Sequence, residues 1–392
     1  MIKVLELFAG IGACSKALTN LGIEHEIVDA VEIDKYAVAS FNAIHGTNFE
    51  PQDVCEWDKN IECDLIMHGS PCQDFSIAGK QAGGDKDSGT RSSLMYETLR
   101  IVEKLKPKYA IWENVKNLLS QKHRHNFDAY LEAMEKLGYT NHYQVLNAKD
   151  YGIPQNRERV FTVSILRGGE FKFPPRRPLT RRLKDVLEDN VDEKYYLPDE
   201  KAKNIKFSDT SKTVRAGGRG SFDKHSLDIV EVENDNYIQD PLIIASRGRS
   251  NGDWYSSEHY QKFEPRRDGL TNTISHVQKD NYVAIRTANS KGYDLAKDGD
   301  GIDLGYPESK TRRGRVGHGV CKTLPTSDSQ GVLDGFRIRK LTPKECWRLM
   351  GFDDSDFDKA SKVNSNTQLY KQAGNSIVVP VLEAILKELL CK

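Results

Sequence analysis

A cysteine, a glutamate and two arginines stand where side chains can do chemistry. Cys72 lies in Gly69-Ser70-Pro71-Cys72-Gln73, directly after the apolar run that ends at His68. The loop at the carboxyl end of a strand is where open α/β sheets bind their ligands. A cysteine there is either a small buried hydrophobe or a nucleophile, and its polar, turn-forming neighbours argue against burial. As a nucleophile it must react as the thiolate, which from an ordinary pKa of about 8.5 needs positive charge or a hydrogen-bond donor nearby. Glu113 ends the next β-like run, Tyr109-Ala110-Ile111-Trp112-Glu113. It either caps the helix that follows or, beside Cys72, acts as a protonated carboxyl toward a heterocycle. Arg157 and Arg159, in Gln155-Asn156-Arg157-Glu158-Arg159, share one face of a strand; surface salt bridges are the plainer role for them. Residues 78–91 carry Gly79, Gly83, Gly84 and Gly89, a run too flexible for a core and suited to closing over a substrate.

A second constellation lies at the amino end. Leu5–Gly12 reads L-E-L-F-A-G-I-G, a strand entering a glycine-containing turn and then a helix. Glycines let the backbone approach a ligand there and leave N–H groups free at the helix start. Turn glycines alone would also explain the pattern. Glu32, in Val31-Glu32-Ile33-Asp34, follows about twenty residues later, where a carboxylate holds a ribose by its hydroxyls. The spacing indicates a nucleoside cofactor without specifying which.

The elements that must position these groups alternate over the first ~165 residues, which predicts a parallel sheet with crossover helices. Strands are expected over Lys3–Phe8, Glu26–Val31, Leu65–His68, Tyr109–Glu113, Tyr143–Asn147 and Val160–Ile165. Helices are expected over Cys14–Leu21, Lys35–Ile44, Ser93–Leu105 and Asn126–Leu137. The alternation stops near Phe173-Pro174-Pro175, and a Gly-, Arg- and Thr-rich stretch with brief β-like pieces runs to about Gly335. Within it, Lys212-Thr213-Val214, Asn272-Thr273-Ile274 and Lys322-Thr323-Leu324 repeat one pattern. They read as related strand-turn-strand units or as chance similarity. Helical patterning returns at Pro343–Met350 and Val378–Leu390. The expected layout is an α/β domain over 1–170 and 337–392, interrupted by a β-rich insertion over 171–336.

Composition fits a soluble globular protein, with 38% hydrophobic and 29% charged residues. The first residues read as a buried strand rather than a signal peptide, and no run approaches a membrane span. The seven cysteines show neither zinc-ligand spacing nor a disulfide framework, so reduced thiols in a cytoplasmic setting are expected. Net charge is zero, yet nine Lys/Arg against two acidic residues fall between Arg157 and Lys184. That excess permits phosphate contact without arguing for it.

Taken in order, these motifs resemble the DNA cytosine-5 methyltransferases of bacteria and their phages. The resemblance rests on Phe8-Ala9-Gly10-Ile11-Gly12, Glu32, Asp53-Val54, Pro71-Cys72-Gln73, Glu113-Asn114-Val115 and Gln155-Asn156-Arg157-Glu158-Arg159. It continues with Arg339–Cys346 and Gln372-Ala373-Gly374-Asn375-Ser376, covering roughly 1–165 and 336–390, with a long variable insertion between. Ala13 replaces a usual third glycine, and Ser70 stands where an aromatic is common; both should only tune loop packing.

The resemblance implies a Rossmann-like S-adenosylmethionine-dependent fold with an inserted target-recognition domain. It implies that Cys72 adds to carbon 6 of a flipped cytosine in double-stranded DNA and that carbon 5 receives the methyl group. Glu113 would hold ring N3 and the exocyclic amine; Arg159 would contact the base carbonyl, and Arg157 would bind phosphate or support the loop. The cofactor would be held by Phe8, Ala9, Gly10, Ile11, Gly12, Glu32, Ile33, Asp53, Val54, Pro71, Leu94, Asn375 and Ser376. No metal is implied. Arginine is the usual reader of guanine, so Arg215, Arg219, Arg247, Arg249, Arg312, Arg313 and Arg315, together with Gln73, are candidate DNA contacts at a GC-containing site. A monomer is the default, and a separately encoded restriction endonuclease is a possible partner. An RNA methyltransferase on the same scaffold and a catalytically silent DNA binder are the alternatives. Intact Cys72, Glu113 and Arg159 speak against the silent binder.

Overall fold

The chain's short apolar runs become the strands of one sheet. In a computed structural model, residues 1–71, 94–198, 243–250, 259–266, 281–335 and 337–391 are described, with backbone alone for 243–250, 259–266 and 281. From the amino end the elements are β1 (Ile2–Leu7), α1 (Ala13–Asn20), β2 (His25–Val31), α2 (Lys35–His45), β3 (Leu65–His68), α3 (Met95–Leu105) and β4 (Tyr109–Val115). There follow α4 (Arg124–Lys136), β5 (Tyr139–Asn147), the short β6 (Gln155–Asn156) and β7 (Glu158–Leu166). The sheet order is β2-β1-β3-β4-β7-β5. β1 pairs in parallel with β2 and β3, and β3 with β4.

β7 departs from the expected parallel set: it lies antiparallel to both β4 and β5. Only residues 148–157 join β5 to β7, shorter than the dozen or so residues a parallel crossover needs. β3 is buried at all four positions, as a central strand covered on both faces should be. One core layer gathers Leu5, Leu7, Ile66, Trp112, Phe127 and Tyr130.

The end of the chain completes this body. After Lys340, α5 (Pro343–Arg348), α6 (Asp354–Ser361), α7 (Asn366–Asn375) and α8 (Val379–Leu390) follow. α8 packs on α1, and α6 on α2. Lys16 of α1 bridges Asp353 at 2.6 Å and Asp356 at 2.9 Å. Thr342 and Glu345 form a reciprocal capping box around Pro343 at the start of α5.

The chain folds as two compact units. One comprises Met1–Val191, Gly319–Ser329 and Leu341–Lys392; the other comprises Asp192–His318 and Gln330–Lys340. Residues 171–191 and 319–329, assigned from sequence to the insertion, therefore group with the α/β unit, and 337–340 do not. The reason is local. Leu183 and Val186 are fully buried, Arg348 Nη1 donates to the carbonyls of Val186 and Leu187 at 3.0 and 3.2 Å, and Cys321–Lys322 pairs in parallel with β6.

The second unit is β-rich. It holds β8 (Ile243–Ser250), β9 (His259–Arg266), β10 (Asn281–Arg286), β11 (Tyr293–Ala296), β12 (Gly301–Asp303) and β13 (Val316–Gly317). With β14 (Cys321–Lys322) assigned to the α/β unit, β15 (Gln330–Asp334) and β16 (Arg337–Lys340) complete it. Its sheets are ordered β11-β10-β8-β9 and β13-β12-β15-β16, around Val283, Ile285, Ile302, Leu333 and Ile338. Among the described residues, no helix is long and apolar enough to cross a membrane.

Candidate active site

Pairing of His68 with Trp112 across β3 and β4 sets the geometry. It carries Gly69 alongside Glu113, so that a methyl group on Gly69 would lie 3.7 Å from Glu113 Oε2. The carboxylate therefore stands beside the loop that runs to Cys72, not at a helix cap. Cys72 and Gln73 themselves lie outside the described residues. On the antiparallel neighbour β7, Arg159 Nε approaches Glu113 Oε1 at 3.0 Å, with side chains only 16% and 11% exposed. The contact is an ion pair without hydrogen-bond alignment, and among the described residues Oε1 has no hydrogen-bond donor. A small cavity opens here, lined by Glu113, Arg157, Arg159, Ala148, Val378 and Val381 among others.

The stretch before Cys72 is braced from below. Ser70 is buried, and Trp112 Nε1 donates to its Oγ at 3.1 Å. Asn114 Nδ2 donates to the Ser70 carbonyl at 3.3 Å. Trp112 stacks on His68 with centroids 5.8 Å apart and planes 8° from parallel, and His68 Nε2 meets the Tyr130 hydroxyl at 3.0 Å. Burial pushes the His68 imidazole down to about 3, so it serves as a neutral packing partner. The sequence reading missed Trp112 and Ser70 as site residues; the one signal was their place beside Glu113 and Cys72.

At the edge of β1 a second cradle forms. Phe8, Gly10 and Gly12 have φ of 53°, 56° and 80°. Gly12 tolerates nothing larger, because a Cβ there would lie 2.1 Å from His45 Nε2. His45 Nε2 lies 3.2 Å from the Ile11 carbonyl, and burial lowers its pKa to about 4, so the neutral ring donates. Glu32 caps β2 and fixes the turn: its carboxylate accepts from Gly10 N at 3.0 Å and from Asp34 N at 2.8 Å. Burial raises the Glu32 pKa against the pull of these N–H groups. Gln52 N donates to the Glu32 carbonyl at 2.9 Å, which brings Asp53 to the same edge, with Val54 buried behind it. Ile33 is left 68% exposed, an apolar face at the mouth of a polar turn.

The Phe8–Gly12 turn and the Gly69–Ser70 stretch follow the carboxyl ends of the parallel strands β1 and β3, beside Glu113 of β4. A family model described as C-5 cytosine-specific DNA methylase matches residues 2–391. The chain belongs to this family. It is a DNA cytosine-5 methyltransferase, in an α/β fold of the methyltransferase type.

Among its relatives is the type II methyltransferase M2.ScrFI of Lactococcus lactis subsp. cremoris, 34% identical with 99% of each chain covered. Another is the orphan methyltransferase M.SPRI of Bacillus phage SPR, 34% identical over 99% of this chain and 97% of that protein. Of solved structures, the Dnmt2 methyltransferase of S. pombe superposes with a TM-score of 0.55 at 17% identity, covering 100% of this chain and 98% of that one. That likeness concerns the fold.

Two arginines of this methylase, offered from sequence as ligand contacts, are buried. Arg157 is 4% exposed and donates to the carbonyls of Ser376 at 2.9 Å, Gly374 at 3.2 Å and Leu324 at 3.4 Å. Of its two expected roles, phosphate binding is overturned and loop support fits. It holds the Gly374–Ser376 turn that includes Asn375. Arg315 is fully buried, with Nη1 and Nη2 on the carbonyls of Asp303, Gly305, Tyr306 and Pro307, so it does not read a base. Arg313 is exposed, and Arg247 and Arg249 lie on β8. Arg215 and Arg219 lie outside the described residues, as do the Thr213 and Thr273 repeats. The third repeat docks on β6, with Thr323 Oγ1 donating to the Asn156 carbonyl at 3.0 Å. Pro71 and Leu94 flank the undescribed stretch, and Leu94 packs on the core of the α/β unit. Among the described residues no cluster of His, Cys, Asp and Glu could hold a metal ion.

Proposed function

We propose that the methyl donor is S-adenosylmethionine and that Cys72 is the nucleophile toward a cytosine turned out of duplex DNA. The observation that carries the reading is Glu113: buried, ion-paired to Arg159 without hydrogen-bond alignment, and set against Gly69, three residues before Cys72. A buried carboxylate oxygen that meets no donor among the described residues has desolvation to recover from a ligand, and the exocyclic amine of cytosine is such a donor.

The cradle fits an S-adenosyl group by its chemistry. Glu32 offers acceptors for ribose hydroxyls, Asp53 for an amine, and Phe8 with exposed Ile33 offers apolar surface to a purine. Gly10, with open space where a side chain would stand, lets the ligand approach the backbone; Ala9, Ile11, Val54, Pro71, Leu94, Asn375 and Ser376 complete the wall. When bound, the cofactor supplies an electrophilic methyl group on a sulfonium.

The protein's own groups do the rest. Extrusion of the base costs a few kcal/mol, offset by contacts to its edge. Cys72 thiolate adds to carbon 6, forming the carbon–sulfur bond and moving electron density to carbon 5. Glu113 accepts from the exocyclic amine and, as the protonated carboxyl, donates to N3, while Arg159 donates to the base carbonyl, so the adduct's charge is met as it develops. Once carbon 5 is methylated, a base removes its proton and the carbon–sulfur bond breaks. Residues 192–318 and 330–340 are assigned to target recognition, with Arg247, Arg249 and Arg313 as candidate contacts to guanine or phosphate.

Incubating long mixed-sequence DNA with methyl-labelled S-adenosylmethionine tests this. Label recovered as 5-methylcytosine, and lost in Cys72→Ala, supports the reading. Label on another base position, or unlabelled DNA where tRNA offered in parallel takes the label, contradicts it.

A further inference from the structure

The loop between β12 and β13, residues 304–315, is built around a buried cation and an exposed ring. Arg315 is fully buried, and its guanidinium gathers the carbonyls of Asp303, Gly305, Tyr306 and Pro307. Drawing those carbonyls inward turns Tyr306 outward. Tyr306 has φ of 50°, a left-handed backbone that residues bearing a side chain avoid, and it is 76% exposed. The ring thus recovers little by burial for the backbone it adopts. Strained residues held by their surroundings cluster at ligand contacts.

A second cation fixes the ring. Arg312 Nε and Nη2 donate to Asp303 Oδ2 at 3.0 and 2.6 Å, and its guanidinium carbon lies 5.5 Å from the Tyr306 centroid. Asp303 also accepts from Gly305 N at 2.9 Å, so one buried carboxylate braces the start of the loop and the arginine. Beside the ring, Lys310 and Arg313 are exposed. A preorganised aromatic flanked by exposed cations suits a polyanion that also offers flat rings or sugars.

We propose that this loop is a duplex-DNA contact surface, with Tyr306 as its anchor against base or sugar, Arg313 and Lys310 on phosphates, and Arg315 and Asp303 as the internal brace. The inference rests on the chain acting on duplex DNA. It gives Arg315 a role that its burial had taken away, and it adds Tyr306, an aromatic that arginine-centred reasoning passes over.

The test uses the full chain, linear plasmid DNA and four variants: Tyr306→Ala, Tyr306→Phe, Arg313→Ala and, as a surface control, Val363→Ala. Tyr306→Ala is expected to raise the KM for DNA roughly tenfold, the scale of losing one aromatic anchor from an interface, with the KM for S-adenosylmethionine and the melting temperature unchanged. Tyr306→Phe should keep most of the affinity. Arg313→Ala should flatten the dependence of log Kd on log salt by about one unit. The proposal is overturned if wild type methylates DNA while Tyr306→Ala and Arg313→Ala behave as Val363→Ala does. A wild type that neither binds nor methylates DNA overturns the reading it rests on, and the inference with it.

Discussion

Trp112 Nε1 donates to Ser70 Oγ at 3.1 Å, which ties strand β4 to the residue two before Cys72. Asn114, two residues along β4 from Trp112, holds the carbonyl of the same serine. One strand therefore places Glu113 beside Gly69 and anchors Ser70, two residues before Cys72, with the residues on either side.

Ser70→Ala should lower kcat with little change in either KM. A single buried hydrogen bond contributes about 0.5–1.5 kcal/mol, so the loss should be roughly two- to tenfold, because the variant leaves the Trp112 indole N–H without its acceptor. Single-turnover methylation of plasmid DNA, alongside equilibrium DNA binding, separates the two quantities. A rise in KM with kcat intact would show that Ser70 acts on binding rather than on positioning.

Glu113→Gln keeps the shape of the side chain and removes its charge. Methylation should fall by about 100-fold or more, the scale of losing one group that stabilises developing charge. DNA affinity should stay within a few-fold of wild type, which a filter-binding titration would check.

Arg157 and Arg159 should separate by phenotype. Arg157→Met leaves three backbone carbonyls without their donor in a buried site, and hydrogen bonds to charged groups are worth about 1.5–3 kcal/mol each. It should melt several degrees lower and lose cofactor affinity through the Gly374–Ser376 turn. Arg159→Met should melt close to wild type and lose activity. Thermal melting of both, with and without S-adenosylmethionine, reads the difference.

Glu6 gives a pH dependence of stability. It is fully desolvated on β1, accepting from the backbone N–H of Ser15 at 3.0 Å and from its hydroxyl, and burial lifts its pKa from 4.5 to about 7. The folded state then binds the proton more tightly than the unfolded chain does. The favourable protonated form is complete below 4.5, and its contribution is lost as pH rises to about 7. Above that the charged form costs on the order of 3 kcal/mol. Glu6→Gln should therefore melt higher than wild type at pH 8, with the gain vanishing near pH 4.5. Equal melting differences at both pH values would contradict the assignment.

Much of this was legible in the sequence where one signal has one structural solution. The run Leu65–His68 reads as a strand and is one, and Glu32 at the end of β2 did fall against the Gly10 turn. α6 and α7 were not foreseen. Asn366–Asn375 carries a weak apolar stripe and Gly374, and that glycine is there because a Cβ would lie 2.3 Å from the Pro325 carbonyl oxygen, a contact made across nearly fifty residues of sequence. The buried arginines were equally opaque. Arg315 and Arg313 look alike in Arg312-Arg313-Gly314-Arg315, and only the folded loop supplies the carbonyls that claim one and leave the other in solvent.

The most direct test of the central claim replaces cytosine by 5-fluorocytosine in duplex DNA and adds S-adenosylmethionine. Fluorine cannot leave carbon 5 as a proton does, so the carbon–sulfur bond persists once carbon 5 is methylated. The account predicts a complex that survives denaturation in wild type and is absent in Cys72→Ala. Tight DNA binding with no such complex in wild type, or an undiminished complex in Cys72→Ala, would contradict it.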